Sequence, residues 1–510
     1  MKQRRGHKSK RVRKKNQNEL IGYFQKPKGS HAHCVVDRAS EEKFKIGKSE
    51  LRKAFPGDLV RYHLTPKGWA SIDSVLKSNT DNFIGKITRN GKITFSSPVG
   101  LEDIVRIKIT GDIPKKISTE TLVEIILTKQ PAARQMGEGF IKRTISEDNI
   151  LEIASALSVS KHDLRTEWNK SIIQESQRLA KTVIATEVNY VDLRNKSFIT
   201  IDGKTAKDFD DAVFSEKNKS GDLVLYVAIA DVGKFVTPGS AMDKEAAERG
   251  TSVYFTQKVI PMLPEIISND LCSLRPKEDR YCLVCKTSLS QAGESKEVEF
   301  FQAIINSKSR LTYEKVAEQM KINKFSDPYA QSLKNLVDIY KILKKAKKNR
   351  GALELDIPFY VPKLKGNKIE KFINTSRNEA HLLIEECMLL ANICAAKILM
   401  KAKIPSIYRI HPKPDPLKIK NLEGFARSRK INVTLGDDGK VKELSNLVDI
   451  TKDRKDKETI HMQILQSLSL AVYETEVSEH FALGYPAYTH FTSPIRRYPD
   501  LMVHRALKSL

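Results

Sequence analysis

The amino-acid sequence predicts a multidomain protein in which two small all-β barrels of the OB type precede a large mixed α/β domain. Three observations carry that expectation. Short strand-like runs broken by Gly and Pro come in two successive series, over residues 18–78 and 79–137. Helix-like and strand-like patterns then mix from about Val188 onward. Early in that second region, FITIDGKTAKDFDDAVFSE ends a β-branched run at Asp202 and sets Asp208, Asp210 and Asp211 within a few residues.

Length and charge bound the function class. The 510 residues correspond to roughly three domains at about 150 residues each. With 88 Lys and Arg against 62 Asp and Glu, the net charge is +26, so the expected partner is a polyanion. No run of about 18 apolar residues occurs, and the opening MKQRRGHKSKRVRKK lacks the apolar core of a secretory signal. Neither a membrane span nor secretion is predicted, and the expected location is cytoplasmic. Six scattered cysteines (Cys34, Cys272, Cys282, Cys285, Cys387 and Cys394) fit a reducing compartment. Cys282 and Cys285 have zinc-type spacing, but no second pair or nearby His completes a site, and YCLVCKTSL alternates like a strand.

Residues 1–17 are nearly all Lys, Arg and other polar types, which cannot bury a core and should form a solvated basic tail. Over 18–78 the strand-like runs are LIGYFQ, HAHCVVD, KFKIG, DLVRYHL and WASIDSVL. Over 79–137 they are NFIGKITRNGKITFSS, DIVRIKITG and TLVEIILT, with Asn90-Gly91 as a hairpin turn. Many β-barrels bind no nucleic acid, so composition has to decide. Lys26, Lys28, Arg52, Lys53 and Arg61 in the first, and Lys86, Arg89, Lys92, Arg106 and Lys108 in the second, give each a basic surface suited to a sugar-phosphate backbone. KQPAARQMGE then reads as a connection, and residues 138–187, around EDNILEIASALSVSKHDL, as a helical linker to the α/β domain at 188–510.

Four carboxylates this close repel one another and raise one another's pKa values unless a cation neutralises them, and hard oxygen ligands suit Mg²⁺ or Mn²⁺. A solvated acidic loop is the alternative. Ile199, Ile201, Phe209, Ala212 and Val213 interleave with the acids, which favours a site partly buried against a sheet. Calcium is the main competing ion, but Asp208 and Asp210 are followed by Ala212 and Val213, without the Gly and closing Glu of an EF-hand. Beside a polyanion-binding surface, such a set fits two-metal phosphoryl chemistry.

Three blocks closely resemble the ribonuclease II/ribonuclease R family of exoribonucleases, most of all its ribonuclease R branch. They are TIDGKTAKDFDDAV, YVAIADVGKFVTPGSAMDKEAAERGTSVYFTQKVIPMLPEIISNDLCSLRP and AYTHFTSPIRRYPDLMVHRA. The two preceding barrels sit where that family has cold-shock-type domains, and 188–510 where it has its catalytic (RNB) domain. The resemblance implies processive 3′-to-5′ hydrolysis of single-stranded RNA, or of structured RNA with a 3′ overhang, to nucleoside 5′-monophosphates with Mg²⁺. It implies Asp202, Asp208 and Asp211 as metal ligands, Asp210 and Arg496 in the chemical step, and Tyr254 against the terminal nucleotides. A core tyrosine is the alternative for Tyr254.

Thr492-Ser493-Pro494 reads as a helix start, which puts Arg496 and Arg497 in the first turn, facing either a bound phosphate or solvent. In HLLIEECMLLANICAAKILM, Glu385 and Asn392 fall seven residues apart on one face. They either line an RNA channel or make hydrogen bonds between helices. The family's usual Pro after its first aspartate is Gly203 here, and the His of its VHIADV segment is Ala228; neither change removes a carboxylate. GSHAHCVVD lacks the stacking aromatics usual in cold-shock domains, so backbone electrostatics should dominate in the first barrel. The family normally continues well past the arginine motif, so a chain ending at Leu510 is expected to be C-terminally truncated. The expectation is a monomeric Mg²⁺-dependent exoribonuclease; a truncated or degenerate homologue that binds RNA without cleaving it, and a DNA-directed nuclease, are the competing readings.

Overall fold

A computed structural model describes the chain apart from residues 1–19, 26–32, 48, 91–92, 100–104, 115–116, 119–120, 133–134, 146–148, 163, 356, 367 and 437–439. The basic tail, Lys26, Lys28, Lys92 and Gly91 of the expected turn therefore lie outside the described residues. The chain divides into two compact units, Met1–Thr166 with Leu364–Glu370, and Glu167–Lys363 with Lys371–Leu510.

The first unit opens with β1 (Leu20–Gln25), β2 (Cys34–Asp37), β3 (Lys43–Lys45), β4 (Leu59–Leu64) and β5 (Ala70–Lys77). They pair in the order β3-β2-β1-β4-β5, and a single parallel bridge from Ile46 to Ala70 joins the two edges. Alternation turns Phe24, Val35, Val60, Tyr62 and Ile72 into one core. The second series, β6 (Asn82–Asn90), β7 (Ile93–Pro98), β8 (Ile107–Ile109), β9 (Leu122–Lys129) and β10 (Gly137–Thr144), closes into a barrel of order β10-β8-β7-β6-β9. Both have the OB-like character expected.

From sequence the second barrel stops at 137 and a helical linker begins at 138, but the barrel closes only through β10, which pairs with β9 and β8. Gly137 and Gly139 hide this strand. A Cβ on Gly137 would lie 2.6 Å from Ile107 Cδ1 and one on Gly139 2.6 Å from Ile126 O, so the buried positions carry no side chain and show no hydrophobic alternation. Helix α1 (Ile150–Lys161), capped by Asn149, then packs Ala156 against Ile84 and Ile145.

The second unit begins with α2 (Lys170–Leu179) and continues through β11 (Val191–Asp192), β12 (Ile199–Asp202), β13 (Asp211–Lys217), β14 (Leu223–Ala230), α3 (Ala241–Arg249) and the hairpin β15 (Val253–Tyr254)–β16 (Val259–Ile260). Next come β17 (Asp279–Leu289), β18 (Ser295–Asn306), β19 (Ser309–Thr312), α4 (Tyr313–Ile322), α5 (Ala330–Arg350), the hairpin β20 (Phe359–Lys365)–β21 (Lys368–Thr375), of which Leu364–Glu370 counts with the first unit, and α6 (Glu379–Ala402). The chain finishes with β22 (Tyr408–Ile410), α7 (Pro416–Ser428), α8 (Val441–Thr451), α9 (Lys457–Ser467), β23 (Val472–Glu474) and α10 (Tyr498–Lys508).

Seven strands form a mixed sheet of order β11-β18-β17-β14-β13-β12-β19. Helices α4, α5 and α6 cover one face, while α3, residues 260–274 and part of α10 cover the other. Cys282 and Cys285 point to opposite faces of β17 into these two separate cores, so they cannot share a metal. Among the described residues no helix is long and apolar enough to cross a membrane.

Candidate active site

The acidic segment is a β-hairpin. Asp202 is the last residue of β12, Asp211 the first of β13, and residues 203–210 turn between them. The parallel neighbour β19 sets Thr312 opposite Asp202, so Arg310 and Tyr313 arrive beside the acids. Arg310 Nη2 donates to Gly203 O at 2.5 Å and Lys204 O at 2.9 Å.

Three of the four carboxyl groups are deeply sunk. Asp210 is 4% exposed, and burial pushes its carboxyl up to about 8, against the pull of Arg496 and of a hydrogen bond from Ile495 N. Burial likewise raises Asp202, with the Asp210 charge adding to it, and raises Asp211, with the Asp202 charge adding. Asp202 Oδ2 is buried without a hydrogen-bond partner. Acids held this way lack the donors that normally stabilise ionised carboxylates. Among the described residues, no three His, Cys, Asp or Glu side chains converge closely enough, as placed, to hold a metal ion. The chemistry of the donors nonetheless suits a hard divalent cation, which would replace the missing donors at Asp202 and relieve the mutual repulsion. Asp208 accepts from Tyr254 Oη at 3.1 Å.

Opposite the acids runs the segment Tyr488–Arg497. Ile495 N donates to Asp210 Oδ1 at 2.9 Å, and Arg496 Nε lies 3.5 Å from Asp210 Oδ2. The Arg496 side chain is 45% exposed, while its carbonyl is fixed by Thr251 Oγ1 at 2.9 Å and Ser252 N at 3.0 Å. The arginines do not open a helix at Ser493. Residues 493–496 form a turn in which Ser493 O accepts from Arg496 N and Arg497 N, and α10 starts only at Tyr498. The reason is Asp500, fully buried, which takes Ser493 N at 2.8 Å and Arg497 Nη2 at 2.7 Å. Pro499 suits the first turn, and Arg497 is left extended (φ −136°, ψ 119°), bridging Thr251. An anion would therefore meet the Arg496 guanidinium rather than a helix N-terminus.

The structure brings Asp202, Asp208, Asp210, Asp211, Tyr254 and Arg496 together, with Arg497 behind them. Glu385 and Asn392 part company. Asn392 is 3% exposed and both ends of its amide are engaged, donating to Tyr488 Oη at 2.9 Å and accepting from Phe491 N at 2.7 Å. That is an internal clip, not a surface for RNA. Glu385 is partly exposed, paired with Arg377 at 2.5 Å and near Lys347 at 3.8 Å, on the wall of a cavity of about 510 Å³. Sequence reasoning missed Arg310 and Tyr313. Arg310 lies in β19 and Tyr313 directly after it, far along the chain from the acids, and the parallel pairing of β19 with β12 brings them there. Burial and the Asp211 charge raise the Tyr313 hydroxyl, and its ring stacks on His381 at 3.9 Å.

The chain is 36% identical over 451 residues to ribonuclease R of Escherichia coli (strain K12), covering 86% of this chain and 55% of that protein. Against ribonuclease R of Thermotoga maritima the identity is 35% over 402 residues, covering 77% of this chain and 56% of the relative. The chain thus spans little more than half the length of these curated relatives. Among solved structures, Mycoplasma genitalium RNase R in complex with ribose methylated single-stranded RNA matches with a TM-score of 0.84 at 26% identity, covering 96% of this chain and 79% of that one. The same protein in complex with double-stranded RNA matches with a TM-score of 0.76 at 27% identity, over 85% and 78%. The RNB domain model matches residues 190–510, the whole region that holds the acidic hairpin and the arginine segment. With well over half its length matched there, the chain belongs to the RNB domain family.

Proposed function

We propose that this chain carries the machinery of a 3′-to-5′ exoribonuclease that hydrolyses single-stranded RNA processively to nucleoside 5′-monophosphates. One observation carries the reading: four aspartates on one hairpin, three of them buried and poor in donors, face an exposed arginine anchored to one of them. A pure RNA binder has no use for crowded acids beside phosphate. The RNA complexes solved for Mycoplasma genitalium RNase R support RNA as the ligand.

Asp202, Asp208 and Asp211 would hold Mg²⁺ or Mn²⁺. A pair of such ions supplies an activated water and charge on the leaving oxygen. Asp210 has one oxygen committed to Ile495 N and the other 3.5 Å from Arg496 Nε, and that second oxygen would orient the attacking water beside the arginine. Arg496 holds the scissile phosphate and offsets charge that develops during cleavage. Tyr254, 52% exposed, offers its ring to the terminal nucleotides.

The test is incubation with 5′-end-labelled oligo(A) and Mg²⁺, with products resolved on a gel beside the matching deoxyoligonucleotide. Stepwise shortening of RNA alone, ending in a short limit product and mononucleotides, is expected. RNA bound but uncleaved would replace the enzyme reading with that of a non-catalytic RNA-binding protein. Equal shortening of the DNA would overturn the ribonuclease assignment.

A further inference from the structure

The turn that presents Asp208 is held by one hydroxyl from a distant part of the chain. Ser273 Oγ donates to Lys207 O at 2.7 Å and accepts from Phe209 N at 3.0 Å, so it bonds the residues on either side of Asp208. Leu274 N adds a bond to Phe209 O at 3.0 Å. Ser273 is 0% exposed and firmly seated. Its own carbonyl accepts from Nε of buried Arg280 at 2.9 Å, and Arg280 Nη2 in turn reaches Asp270 O at 3.1 Å and Glu278 at 2.5 Å. Just before Ser273 the chain makes a single π-helical turn, Ile266–Leu271, an irregularity frequent near functional sites.

We propose that Ser273 is a positioning residue whose hydroxyl fixes the backbone on both sides of Asp208 and so aims that carboxylate into the acidic site. Tyr254 Oη then meets Asp208 with one further hydrogen bond. The inference rests on the exonuclease reading above, in which Asp208 is a metal ligand. Groups that orient a ligand without touching the metal commonly change affinity or activity by about 10- to 100-fold when removed.

The experiment compares the full chain with Ser273→Ala, Asp208→Asn and the double variant. The readouts are kcat and KM on labelled oligo(A), Mn²⁺ affinity by calorimetry without RNA, and RNA affinity in EDTA. Ser273→Ala should lower kcat and weaken Mn²⁺ binding by about 10- to 100-fold, with RNA affinity in EDTA unchanged. In the Asp208→Asn background the same change should cost almost nothing further, because the residue it acts through is already gone. Parental kcat and Mn²⁺ affinity in Ser273→Ala, or losses that multiply in the double variant, would overturn the proposal. Should Ser273→Ala lose RNA affinity by failing to fold, Ser273→Cys decides, since it keeps a weak donor and acceptor in nearly the same volume: intermediate Mn²⁺ affinity supports the proposal, and parental affinity overturns it. A parent that never cleaves RNA yet binds Mn²⁺ more tightly than Ser273→Ala would sink the exonuclease reading and support the positioning role.

Discussion

Replacing Asp210 by Asn removes an ionisable group and keeps a shape. The folded chain holds this carboxyl near 8, whereas an ordinary aspartate titrates near 3.8. Its contribution to stability is therefore intact below about pH 4 and is lost as the pH rises toward 8. At pH 7 the mismatch weakens folding by about 4 kcal/mol, and at pH 5 by only about 2 kcal/mol. Asn does not titrate, and its carbonyl oxygen can still accept from Ile495 N. In EDTA, Asp210→Asn should therefore melt above the parent, by a wider margin at pH 7 than at pH 5. RNA affinity in EDTA should hold, since a carboxyl held near 8 is already largely protonated at pH 7 and little negative charge leaves the site, while cleavage should fall by several orders of magnitude. Scanning calorimetry in EDTA and a gel-based cleavage assay are the two measurements. A mutant that melts below the parent at pH 7, or whose advantage ignores pH, would refute the burial argument; comparable cleavage rates would show that Asp210 is not catalytic.

Tyr254→Ala should lengthen the limit product and weaken binding of a short RNA by about 1 to 3 kcal/mol, the usual contribution of base stacking on an aromatic; an unchanged product ladder and affinity would leave the tyrosine only its bond to Asp208. RNA binding should be strongly salt-dependent: six neutralised phosphates give a slope of about −4 in log K against log salt, and a slope near zero would remove the electrostatic role of the barrels. Mg²⁺ or Mn²⁺ should raise the melting temperature more at pH 8 than at pH 6, because the ligands Asp202 and Asp211 both resist ionisation and cation binding must displace their protons. An equal or larger rise at pH 6 would count against cation binding by these acids.

The acidic hairpin was legible because it is local: one strand ends at Asp202, the next begins at Asp211, and alternating apolar residues announce burial. The arginine segment was legible only through its resemblance to a family, and its local signature misled. Thr492-Ser493-Pro494 has the chemistry of a helix start, yet Ser493 N is claimed by Asp500 from the true first turn. Nothing in the periodicity of α6 distinguishes an amide that faces a channel from one that clips a neighbouring segment, which is why Asn392 stayed undecided. β10 hid behind two glycines whose value is the absence of a side chain. Arg310, Tyr313 and Ser273 reach the site through pairings across a hundred, or about sixty-six, residues, distances over which no local pattern speaks.

From Phe491 into the turn at 493–496, the segment that carries Arg496 pairs with no strand among the described residues, and side chains hold its alternate amides instead. Phe491 N, Ser493 N and Ile495 N donate in turn to Asn392, Asp500 and Asp210, side chains from α6, α10 and the acidic hairpin. Three separate elements thus supply acceptors that a neighbouring strand would otherwise provide. Asp210 belongs to both this suspension and the acidic cluster, so its bond from Ile495 N, together with the Arg496 Nε contact at 3.5 Å, links the placement of the arginine to that of the acids. It follows that Asp210→Ala and Asp210→Asn should differ in kind. Asn keeps the acceptor and should lower kcat with KM preserved, whereas Ala releases Ile495 N as well and should also raise KM, as Arg496 loses its fixed approach to the phosphate. Identical kinetic parameters for the two variants would show that the bond to Ile495 N does not hold the arginine in place.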